Sequence, residues 1–96
     1  MNPIISTPDT YESAYYLANE AEVTAVECRK IDGKIACTLQ FSGEDLTTLQ
    51  YQYFRKTAEV NLYAFKRAYH QINMIMADAK KKFKKEQAAE MEGGRE

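Results

Sequence analysis

The stretch NLYAFKRAYHQINMIMADAKKKFKK, residues 61–85, decides the fold. Its apolar residues Leu62, Phe65, Tyr69, Ile72, Met76, Ala79 and Phe83 step by three and four without a slip. That spacing lines up one face of an α-helix. Ala68 and Ile75 flank the line and widen it, which predicts a helix lying on a globular core rather than a narrow coiled-coil seam. At ~1.5 Å per residue the helix would extend roughly 40 Å, longer than a small domain covers. Its last turns, Lys80 to Lys85, are therefore expected to project.

Working outward, residues 45–54 carry a second helical pattern, Leu46, Leu49 and Tyr53, in a different phase. A break between Arg55 and Asn61 explains the change, with Asn61 as the cap of the long helix. One long kinked helix is the alternative, because Thr57, Ala58 and Glu59 are tolerable helix residues. Ser42-Gly43-Glu44-Asp45 supplies the preceding helix start, with Ser42 as candidate N-cap and two acids in the first turn.

Upstream, Glu22 to Phe41 predicts a β-hairpin. Asp32-Gly33 suits a two-residue type I′ turn. That loop sets Lys30 against Ile35, Cys28 against Cys37, Val26 against Leu39 and Thr24 against Phe41. Val26, Cys28, Ile35, Cys37, Leu39 and Phe41 should then share the face that packs on the helices. Glu27, Arg29, Ala36, Thr38 and Gln40 take the polar face. Two strands make a poor sheet, so the open edge invites another copy or the N-terminal segment around Ile4 and Ile5.

The first helix is expected to start with Thr7 as N-cap and Pro8 at its first position. Tyr11, Ala14, Tyr15 and Ala18 repeat at helical spacing, and Asn19 suits the helix end. The tyrosines are expected at the core edge with their hydroxyls wet. The fold class is therefore α+β, in the order helix, two antiparallel strands, helix, long helix. Residues 1–85 form one small domain, and the polar residues 86–96 form a disordered acidic tail.

Net charge is −1, but it is segregated. Residues 1–54 carry eight acids and three bases, residues 55–85 nine bases and two acids, and residues 86–96 four acids and one base. A basic helix thus lies between two acidic segments. Internal compensation is the bland account; a polyanion site is the sharper one. No run approaches the ~20 apolar residues of a membrane span. The start lacks a basic leader followed by an apolar segment, so the expected location is the cytoplasm.

The order of these features resembles a small uncharacterised family of bacterial and phage genomes, a domain of unknown function. The resemblance is carried by Thr7 and Asp9 at a helix start, Tyr11, Ala14, Tyr15 and Leu17, the hairpin end Thr38-Leu39-Gln40-Phe41, and Ala58-Glu59-Val60-Asn61 before the Phe65 helix. It spans residues 4 to about 76. Many relatives have Gly after the first helix, where this chain has Glu20-Ala21. The resemblance implies a phage or mobile-element origin and lends no function.

Catalysis is not expected. The four glycines are too scattered for a phosphate loop. One histidine and two cysteines without Cys-x-x-Cys spacing give no metal or redox motif. A Cys–His pair would need Cys28 or Cys37, on the apolar face, to meet His70, which lies away from the core stripe. No cofactor is implied. Two function classes remain. The first is a non-enzymatic binding or assembly module, a homodimer or the partner of another protein, touching through Leu62, Phe65, Tyr69, Ile72, Met76 and Phe83. The second is nucleic-acid binding through Lys66, Arg67, His70, Lys80, Lys81, Lys82, Lys84 and Lys85.

Overall fold

A computed structural model describes the backbone of residues 2–93 and the side chains of residues 2–88. Six elements follow one another: β1 (Ile4–Thr7), α1 (Thr10–Ala18), β2 (Glu22–Ile31), β3 (Lys34–Ser42), α2 (Leu46–Phe54) and α3 (Leu62–Gly93). The class is α+β. The sheet has three antiparallel strands in the order β1-β3-β2, not two. The N-terminal segment takes one edge of the hairpin, with Ile5 opposite Phe41 and Thr7 opposite Leu39. Those pairings turn Ile5 and Thr7 toward the core and leave Ile4 outside.

Asp32 (φ 51°) and Gly33 (φ 79°) both sit in the left-handed region that a type I′ turn requires. The expected register holds from Ile31↔Lys34 to Ala25↔Gln40. It then slips. A bulge between Val23 and Ala25 sets Val23, not Thr24, against Phe41. The extra residue lets apolar Val23 join the inner face and sends Thr24 outward. There the Thr24 hydroxyl donates to the backbone oxygen of Gln40 at 3.3 Å and to its Oε1 at 3.0 Å.

The helix starts differ from expectation. Thr7 is still in the strand, so Asp9 caps α1: its Oδ1 accepts the N–H groups of Tyr11 at 2.8 Å and Glu12 at 3.2 Å. Ser42 likewise belongs to β3, and α2 begins after Asp45, which makes no side-chain cap bond. Helix ends follow backbone rules more closely. Past Asn19, Glu20 adopts φ 70°, Glu20 N–H donates to the Leu17 oxygen and Ala21 N–H to the Tyr16 oxygen. That is a complete Schellman closure with Glu20 in the place glycine prefers.

α2 and α3 are two helices. Lys56 (φ 62°) ends the first, and Asn61 Oδ1 accepts the Ala64 N–H at 3.0 Å to cap the second. α3 does not stop at Lys85. Residues 86–92, Glu-Gln-Ala-Ala-Glu-Met-Glu, hold no helix breaker, and the helix continues to Gly93. The remainder of the expected tail, residues 94–96, lies outside the described residues.

Helices α1 and α3 pack together over the inner face of the sheet. Tyr16, Phe41, Leu39, Leu46 and Ile72 are fully buried there, with Ala14 and Ala68 between the helices. Tyr16 meets Phe41 edge-on, ring centres 5.5 Å apart. The expectation of wet hydroxyls fails for two tyrosines. Tyr16 is wholly buried and donates to Glu12, while Tyr15 donates to Gln52 at 3.3 Å. Only Tyr11 of the three is exposed, its ring stacked on Tyr69 at 5.4 Å.

Candidate interaction site

The apolar stripe of α3 has two fates. From Phe65 to Met76 it serves the chain's own core: Ile72 is fully buried, and Phe65, Tyr69 and Met76 are half-buried against the core. Ile72 is therefore unavailable to a partner, and most of the expected contact line is spent internally. Spacing predicted that the stripe would lie on a core, but it could not divide the residues between that core and a partner, because it does not show which elements supply the cover. Leu62, at 72% exposure, and Phe83, half-buried, remain accessible.

Phe83 borders a groove between α3 and β2. Val26 and Cys28 form one wall and Ile75, Ala79 and Phe83 the other, with Glu27, Asp78, Lys82 and Glu86 along the rim. Val26 is 38% exposed and Cys28 half-buried, although both were expected to be covered. The reason is position: Cys37, Leu39 and Phe41 are buried on β3, the central strand, whereas Val26 and Cys28 lie on β2 at the edge of the sheet.

β2 is an edge strand. Its inner side pairs with β3, and no described residue pairs with its outer side. Since Ile31↔Lys34 flanks a two-residue turn, it is a hydrogen-bonded pair, and the pattern alternates from there. Val26, Cys28 and Lys30 consequently aim their N–H and C=O groups away from β3. Glu27 and Arg29 were placed on the polar face by alternation alone. Both are exposed, and opposite them on β3 stand the uncharged Thr38 and Ala36.

Cys28 and Cys37 face each other across the ladder with sulfurs 2.6 Å apart, and both are free thiols. Burial, then the hydrogen bond and charge of Cys37, push the Cys28 thiol up to about 11. A thiol so raised is a poor nucleophile near neutrality. His70 lies exposed on the outer face of α3, so no Cys–His pair is assembled. Among the described residues, no group of three or more His, Cys, Asp or Glu side chains could hold a metal ion, and no helix is long and apolar enough to cross a membrane.

The basic residues divide as well. Lys66, Arg67 and His70 gather beside Tyr63 in a shallow exposed hollow. Lys84 and Lys85 stand eighteen positions after Lys66 and Arg67, a whole number of turns at ~3.6 residues each, so they share that face. Lys81 lies within the same arc. Lys82 turns toward the β2 groove, and Lys80 falls on the flank; both are exposed.

No protein-family model, curated protein or solved structure matches this chain. The likeness to the phage and bacterial family rests on the residues quoted for it alone.

Proposed function

We propose that this chain is a non-enzymatic binding and assembly module that works in the cytoplasm through protein contacts and associates with a second copy of itself. The observation that carries this reading is the ten-residue β2, whose outer edge has no partner strand among the described residues and lies beside a half-covered apolar groove. Unpaired edges are templates for another strand. Further apolar surface supports it: Tyr51, Phe54, Leu62 and Tyr63 are each more than 60% exposed. Light scattering at micromolar concentration tests the proposal. A mass near twice the 11.0 kDa of the chain is expected, and a mass that stays at 11.0 kDa overturns it.

A second reading is favoured by the shared face of Tyr63, Lys66, Arg67, His70, Lys81, Lys84 and Lys85. Two basic clusters on one helix face suit a polyanion, with Tyr63 as a stacking surface for an unpaired base. Binding by these cations would be salt-dependent, log affinity falling with log salt with a slope of roughly −4 to −5. A shift assay at low salt with duplex and single-stranded DNA tests it, and the absence of a shift removes it.

A further inference from the structure

We infer that two copies join through β2 in a single register, antiparallel and centred on Cys28, so that two three-stranded sheets become one of six strands. The inference rests on the self-association proposed above and specifies its surface.

A two-fold pairing of identical strands sets residue i against a residue i′ whose numbers average to the centre. With Cys28 at the centre, Val26 faces Lys30 of the second copy, Glu27 faces its Arg29, and Ala25 faces its Ile31. Val26, Cys28 and Lys30 are the residues whose backbone groups point outward, so this centre forms hydrogen bonds at all three levels. The bulge ends before Ala25, and residues 25–31 are regular.

Charge selects the register. Glu27 and Arg29 flank Cys28 symmetrically and carry opposite signs. Neither faces a charge within its own sheet. Centring on Cys28 places each opposite its complement, twice over. A shift of one residue centres the pair on Glu27 or on Arg29 and sets like charges face to face, which is unfavourable. The same register covers Ile31, which is 54% exposed in the single copy, with an alanine of the other. Val26, 38% exposed, gains the aliphatic stem of Lys30. Edge charges ordinarily discourage pairing; here their alternation permits one partner arrangement and penalises its neighbours.

Charge swapping tests this. Glu27→Arg alone and Arg29→Glu alone should each weaken self-association about tenfold, from two lost cross-strand pairs and two new repulsions. The double variant E27R/R29E should restore it. A covalent check uses Cys37→Ser, which leaves Cys28 as the sole thiol. Paired residues at a hydrogen-bonded antiparallel position have Cα atoms ~5.5 Å apart, within disulfide range. Diamide, which takes up the two hydrogens, should then convert that variant to a disulfide-linked dimer. If the wild type associates but is indifferent to both charge reversals, or the double variant stays as weak as the singles, the register is wrong while the assembly reading stands. If the wild type is a monomer, both fall.

Discussion

Glu12 is 5% exposed, yet each of its carboxyl oxygens has a hydroxyl donor. Thr7 donates to Oε1 at 2.9 Å, and Tyr16 donates to Oε2. Burial, then the bond and charge of Glu12, push the Tyr16 hydroxyl far above its ordinary value. Thr7 also accepts the Asp9 N–H at 3.1 Å, so one threonine ties the end of β1 to the start of α1. Leaving a buried acceptor without its donor costs about 1–3 kcal/mol. Tyr16→Phe should lower unfolding stability by that amount in urea titration; a loss under about 0.5 kcal/mol would show that the bond contributes little. The sequence could not single out Tyr16, because Tyr11, Tyr15 and Tyr16 differ only by place on the helix. What distinguishes it is β1, which brings Thr7 to Glu12.

The raised groups also set a pH response. Tyr53 is pushed up to about 12 by burial and by its hydrogen bond to Asp9, and Tyr15 and Cys28 move the same way. In each the folded state favours the neutral form. That contribution is fully present below the ordinary values of 9.0 for the thiol and 10.0 for the phenols, and is lost as pH rises through the folded values. The urea midpoint should therefore be level up to about pH 9 and fall between about pH 9 and 12. A midpoint that holds or rises across that window would contradict these environments.

At the scale of elements, α3 was legible from its first turn, because a three-and-four rhythm over five turns has no other explanation. The cap at Asn61 and the turn at Asp32-Gly33 were legible for the same kind of reason: each residue type suits one local geometry. The bulge at Thr24 was not, since alternation assumes that no residue is inserted. β1 was legible only as one of two candidates for the open hairpin edge, since its four residues are too short to show a period. Along α3 the inner face should matter unequally. Ile72→Ala removes fully buried methylenes and should cost about 2–5 kcal/mol. Phe83→Ala, at the margin of the groove, should cost under about 1 kcal/mol at concentrations where the chain is a single copy. Equal losses measured by denaturant titration would mean that the helix is gripped along its whole length.

Across the whole molecule, α3 sets the long dimension. The extents are 54 × 29 × 22 Å, and a 32-residue helix alone measures about 48 Å. Core, caps and aromatic contacts gather around its first half, while the second half lies beside the open edge of β2. Of the basic segment, Lys66, Arg67, Lys81, Lys84 and Lys85 share the outer face of α3, while Glu27 and Arg29 lie on the sheet. The candidate site was only partly visible beforehand. The sequence marked an apolar ribbon with surface to spare. It placed the contact residues on α3 and left the hairpin edge open to another copy or to the N-terminal segment; β1 takes the β3 side, and among the described residues the outer side of β2 has no partner strand.

The most direct test is amide hydrogen exchange at Val26, Cys28 and Lys30 across a range of protein concentrations. These N–H groups point away from β3, so pairing with a second copy should slow their exchange as concentration rises, toward the protection of Ala25, Glu27 and Arg29. Exchange at all three that stays fast and independent of concentration, in samples whose mass is that of a dimer, would contradict the pairing of two β2 strands.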